Sequence, residues 1–203
     1  MNIKSVIITV FLLVSLSGCI SSKSYVDPKY HHTSYSDIKL VQERHYINLI
    51  VEFQRNGKHL SKHDTDVHGF VERAFRATAV IVPDRASQNR KVKVIVNNLA
   101  DLGNATAKGF GVGLTFGAAG TVVTDYYEIT IEYSNGSDKI VKNLQHALHT
   151  TIGNKAAPIE NVEPTTALDG FGKIIEDAVL NFVKDMQDQG YFTLNSQLPK
   201  RVV

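Results

Sequence analysis

The sequence predicts an α+β domain, a two-layer sandwich in which one mostly antiparallel sheet carries two helices on a single face. Three observations lead there. Several short runs alternate apolar and polar residues, as a half-buried strand does. Two longer runs, around residues 64–78 and 168–186, repeat their apolar residues at helical spacing. The order is strand, helix, one or two strands, a glycine-rich segment, hairpin, helix. One sheet lying under both helices buries every apolar face that this order creates.

The first strand is expected at residues 46–53, where Ile47, Leu49, Val51 and Phe53 fall on one side, and Asn56-Gly57 stops it. From residue 64 the period changes. Val67, Phe70, Val71, Ala74, Phe75 and Thr78 form a helical stripe, Glu72, Arg73 and Arg76 face outward, and Asp64 or Asp66 can cap the start. A short apolar run at 80–82 ends at Pro83, and Val92, Val94 and Val96 alternate along the next strand. The strand–helix–strand unit allows a parallel pair within the sheet. Tyr127, Ile129, Ile131 and Tyr133 alternate with Glu128, Thr130 and Glu132, and Asn135-Gly136 turns the chain into a return strand over 139–149. After a loop at 154–166, Leu168, Phe171, Ile175, Ala178, Val179, Phe182 and Met186 make the strongest helix. Thr165 or Thr166 is its cap and Gly190 stands just past its end. Within this reading residues 45–190 are a single domain, residues 191–203 a C-terminal tail, and neither repeats nor a second domain are visible.

Composition narrows the function classes. Lys and Arg total 22 against 20 Asp and Glu. That balance argues against a nucleic-acid partner, whose binders concentrate basic charge, and against long-range steering of charged ligands. The 43% of hydrophobic residues suffices for a globular core and is too low for a multi-span membrane protein.

The N-terminus reads as an export leader over residues 1–18. Lys4 is its only charge, residues 6–16 are apolar apart from Thr9 and Ser15, and small residues precede Cys19. This core is too short to span a bilayer, which takes roughly 20 apolar residues. Cys19 is the only cysteine, so it has no intramolecular disulfide partner. The ending Leu16-Ser17-Gly18-Cys19 resembles the lipobox of bacterial lipoproteins. The resemblance implies a mature N-terminus at Cys19, carrying a covalent diacylglycerol on sulfur and an acyl chain on the new amino group. Ile20 and Ser21 follow the cysteine, without the aspartate that retains such proteins in the inner membrane, which implies the outer membrane and its periplasmic face. The strand–helix plan with Thr124-Asp125-Tyr126-Tyr127 is also similar to small envelope lipoproteins of Gram-negative bacteria. Residues 19–44, rich in Ser, Lys, Tyr, His and Asp, read as a lipidated N-terminus and flexible tether. Such a tether has a reach of about 25–30 Å.

Two segments invite a functional reading. Residues 109–124 are glycine-rich and uncharged. As a phosphate loop the stretch fails, since Leu114 stands where a dinucleotide fingerprint needs glycine and no Gly-Lys-Ser/Thr follows. As a partner or membrane contact, Gly109, Gly113 and Gly117 sit four apart like a small-residue packing face. As a strand, it places Phe110, Val112, Leu114 and Phe116 on one side and Gly109, Gly111 and Gly113 on the other, a bare face open to close approach. The second segment holds His59, His63, Asp64, Asp66 and His68. His59, His63 and His68 are the weak metal candidates; the competing reading is a solvated, helix-capping turn, because Gly57 and Ser61 place the first two in a loop or frayed helix start. His146 and His149 would take opposite faces of a strand, and His31-His32 reads as solvated tether. No Gly-x-Ser-x-Gly elbow is present, and Asp185 and Asp188 fall on the polar side of the last helix.

The expectation is therefore a lipid-anchored, non-enzymatic binding or scaffolding module. It needs no cofactor beyond its own lipid, and its partners are the membrane and an envelope protein or lipid. The alternative is a small periplasmic enzyme or metal-binding protein using His59, His63 and His68.

Overall fold

The computed structural model describes residues 22–100, 120–136 and 138–192. Within them, seven strands form one sheet: β1 (Ser22–Val26), β2 (His45–Arg55), β3 (Lys58–His59), β4 (Ile81–Pro83), β5 (Arg90–Ala100), β6 (Thr121–Asn135) and β7 (Asp138–Ile152). The order is β1-β7-β6-β5-β2-β3, with β4 also paired to β2. The α-helices α1 (Asp64–Ala77) and α2 (Ala167–Asp188) complete the layers. This is the expected α+β architecture. The pairs β1·β7, β7·β6, β6·β5 and β2·β3 are antiparallel, while β2 runs parallel to β5 with Leu49 opposite Val92. The parallel pair thus arises where the strand–helix–strand order allowed it.

The alternation that marked the strands is what aims them. Ile47, Val92, Val94, Ile129 and Ile131 are fully buried beneath Val71 and Phe75 of α1 and Ile175, Phe182 and Met186 of α2. Phe75 and Phe182 meet edge to face, with ring centroids 6.2 Å apart. Each such side chain removed from water contributes about 1.5–3 kcal/mol. The opposite face of the sheet is left open, with Tyr46, Ile50, Tyr126 and Val141 exposed among ion pairs such as Lys93–Glu52 and Lys139–Glu132. Thr166 caps α2 by accepting from the Asp169 amide at 3.1 Å, and Gly190 takes a positive φ of 85° just after the helix.

Two domain boundaries and one helix cap differ from the sequence reading. From Ser22 onward the stretch expected as a tether belongs to the fold. β1 pairs with β7 and, on its other side, exchanges backbone hydrogen bonds with Thr165 (2.9 and 2.8 Å). Tyr25 and Ile38 are buried. These two large apolar anchors along the arm are too sparse to create a periodicity. At the other end Phe192 is buried against the His45 and Tyr133 rings, so the domain continues past residue 190. The capping expectation at α1 also changes: Asp64 does not cap the helix but accepts from the Phe53 amide of β2 at 2.8 Å, tying helix start to strand end.

Candidate functional site

Cys19 and the glycines Gly109, Gly111, Gly113 and Gly117 lie outside the described residues. The weak metal candidates lie within them, and each has its own partner. His59, on β3 rather than in a loop, donates from Nε2 to Asp64 Oδ2 at 2.8 Å. His63 sets its ring edge-on to Phe53, with centroids 5.6 Å apart. His68, one turn into α1, has Nδ1 3.6 Å from Glu72 Oε2, at the wall of a hollow of about 410 Å³ shared with Arg76 and Arg85. Among the described residues no group of three His, Cys, Asp or Glu side chains could hold a metal ion.

The fold instead assembles a cluster that the sequence keeps apart. Asp177, buried on the inner side of α2, accepts from His31 Nδ1 at 2.6 Å through Oδ1 and from His146 Nε2 at 3.2 Å through Oδ2. His146, 3% exposed on the helix-facing side of β7, also accepts the Ala147 amide at Nδ1 (3.0 Å). Its two ring nitrogens are thereby satisfied as the Nε2–H tautomer, assigned from the hydrogen-bond network. The Tyr30 ring packs on His146 with centroids 5.3 Å apart. His31 is therefore not a solvated tether residue, although its side chain stays half exposed. Further along the arm the Tyr35 hydroxyl donates to Glu176, and the Lys39 amide donates to Gln187 Oε1 at 2.9 Å. Residues 31–39 are thus pinned along α2 by polar contacts on either side of the buried Ile38.

On the open face of β7, His149 Nδ1 lies 2.9 Å from Thr124 Oγ1, and its Nε2 lies 3.6 Å from Asp27 Oδ2. The two histidines do take opposite faces. Hydroxyl, imidazole and carboxylate are in the order of a nucleophilic triad. The 3.6 Å separation is longer than a hydrogen bond, and Asp27 is already engaged by the Lys29 amide at 3.1 Å and its ammonium at 3.3 Å. Burial works against ionisation of Asp27, but the Lys29 amide and charge, with His149, hold its carboxyl below the usual range. The arrangement fits a clamp on the arm better than a catalytic relay.

Between α1, α2 and the arm runs a groove of about 560 Å³, lined by Tyr35, Phe70, Arg73, Asp169, Lys173 and Glu176. Gly172 lies in its wall and lets Phe70 approach α2 closely, since a Cβ there would stand 3.1 Å from the Phe70 ring. Phe70 meets Phe171 edge to face at 5.5 Å, and the Arg73 guanidinium lies over the Phe70 ring at 4.7 Å. An apolar floor with both signs of charge along its rims can hold an amphipathic segment of another molecule. Sequence reading missed both the groove and the Asp177 cluster. The one available signal was Asp177 itself, a carboxylate within the apolar stripe of the last helix.

No family model and no curated protein matches this chain. Among solved structures it is similar to a PelC dodecamer from Paraburkholderia phytofirmans, at 11% identity and a TM-score of 0.35 over 81% of this chain and 98% of that one. It is also similar to a Xanthomonas campestris protein of the DUF330 family, at 13% identity and a TM-score of 0.33 over 75% of this chain and 96% of that one. Superposition this loose assigns the chain no function.

Proposed function

We propose that this chain is a lipid-anchored envelope protein whose domain binds or scaffolds another envelope component and performs no reaction of its own. The anchor half of the reading is supported by the lone Cys19 closing Leu16-Ser17-Gly18-Cys19 after a short apolar leader. The binding half is carried by one observation, the groove between α1 and α2, whose Phe70 and Tyr35 rings stand beside Arg73, Lys173, Asp169 and Glu176. No helix among the described residues is long and apolar enough to cross a membrane. The metal-binding or enzymatic alternative through His59, His63 and His68 gains nothing from a geometry that gives each a separate partner.

The test has two parts. Cys19→Ala should abolish metabolic lipid labelling and leave the full leader attached; correctly processed, soluble protein would remove the anchor. A photo-crosslinking side chain placed at Arg73 or Lys173 in cells should capture a discrete adduct that is absent from Glu128 on the open sheet face. Adducts from Glu128 alone would move the binding surface off the groove.

A further inference from the structure

We propose that the corner of the sheet where Ser22, Thr121 and Ile152 meet rests on the bilayer surface, holding the domain in one fixed orientation against the membrane. This orientation rests on the lipid-anchor reading above and adds to it the geometry of the anchored domain.

Ser22 opens β1 opposite Ile152, and Ile152 in turn pairs with Thr121 at the start of β6, so three strand ends lie side by side. Among the described residues the last β5–β6 pair is Ala100 with Asp125, and residues 121–124 pair with β7. Cys19 precedes Ser22 by three residues. Three residues of fully extended chain span at most about 11 Å. Acyl chains on Cys19 would sit in the hydrocarbon, so Ser22 could stand no further than that from the point where the chain leaves the lipid.

Slack does not arise from the arm itself. Ser24 and Tyr25 are buried, β1 is bonded to β7 on one side and to Thr165 on the other, and the contact of Asp27 with His149 follows directly. The corner is also suited to a phospholipid surface. Val122, Val123 and Ile152 are half-buried there, Lys23 and Lys155 are exposed, and Lys155 packs against Gly120 so closely that a Cβ on the glycine would meet it at 2.9 Å. Apolar edges with flanking lysines suit the headgroup layer of a membrane containing anionic lipid.

Full-length lipidated protein reconstituted in phosphatidylethanolamine–phosphatidylglycerol vesicles tests this. Cys19 is consumed by its lipid, so a single donor fluorophore can be attached at Asn154→Cys, beside the corner, or at Asp138→Cys, at the far end of β7; both positions are exposed. A strand of this length separates them by about 45–50 Å. Energy transfer to headgroup-labelled acceptor lipid should be several-fold stronger from residue 154 than from residue 138. Inserting twenty Gly/Ser residues after Ile20 should bring the two efficiencies together. Equal efficiencies without the insertion would overturn the fixed orientation while leaving the anchor intact. Failure of the protein to float with vesicles would instead overturn the anchor reading, and the orientation with it.

Discussion

His31 Nδ1 stands 2.6 Å from Asp177 Oδ1, although 146 residues separate them in the chain. The contact explains how a polar N-terminal stretch becomes part of the domain. Asp177 is buried and could not face an apolar neighbour as an unpaired charge. It is satisfied from the sheet side by His146 and from the arm side by His31.

The two histidine contacts should differ in weight. Asp177→Ala leaves the buried His146 Nε2–H without an acceptor and should cost about 1–3 kcal/mol in urea unfolding. His31→Ala removes a half-exposed partner and should cost under about 1 kcal/mol. It should nonetheless speed hydrogen exchange at the Ile38 and Lys39 amides, because the arm loses its first pin on α2. Equal stability losses for the two variants, with unchanged exchange, would show that Asp177 does not organise the arm.

The elements legible in the sequence are those whose side chains repeat with one period. The stripe of α2 and the alternation of β6 show at once, since each is set by a single burying surface. β1 does not show, because Tyr25 alone is large and apolar and the strand is held by backbone pairing and by Thr165, both distant in sequence. The groove is invisible for a related reason. Gly172 looks like an ordinary weak point of a helix until Phe70, far earlier in the chain, is seen against it. The histidine run at 59–68 drew attention by density, yet turns in the chain send the three rings to separate neighbours.

Glycines inside the helices should respond in opposite senses. Gly69 of α1 has nothing within 4 Å of a built Cβ. Gly69→Ala should therefore raise stability by about 0.5–1 kcal/mol through helix propensity. Gly170 of α2 has the buried Leu148 side chain 2.7 Å from such a Cβ. Gly170→Ala should lose that gain and fall below wild type, since Leu148 must be displaced in a packed core. Melting temperatures of the two variants moving in the same direction would contradict the placement of α2 on β7.

Phase along α2 can be checked independently. Phe182 is fully buried against Phe75, so Phe182→Ala should cost about 3–5 kcal/mol. Lys184, two residues on, pairs with Asp188 at the surface. Lys184→Ala should cost under about 0.5 kcal/mol. Chemical denaturation reads both, and similar losses would mean that the helix is rotated from the orientation described.

His45 supplies the pH dependence. Its ring is buried, stacks on Phe192 with centroids 4.9 Å apart, and has Nδ1 3.5 Å from the Arg90 guanidinium. Its Nε2 is the buried side-chain polar atom without a hydrogen-bond partner among the described residues. Burial first, and the Arg90 charge second, push its pKa down, with Glu43 acting weakly the other way. The unfolded chain binds a proton at this histidine near pH 6.5 while the folded ring resists it, so the folded state loses stability as pH falls below about 6.5. The loss stops growing only below the depressed folded value. His45→Phe removes both the orphaned donor and the titration while keeping an aromatic ring against Phe192. At about pH 8 the variant should be at least as stable as wild type, by up to about 1 kcal/mol. Its advantage should widen toward about pH 5, because every other group is common to both proteins and cancels in the difference. Unfolding free energies measured across that range decide the matter. An advantage that stays constant or shrinks on acidification would show that His45 takes up its proton as readily in the folded chain as in the unfolded one.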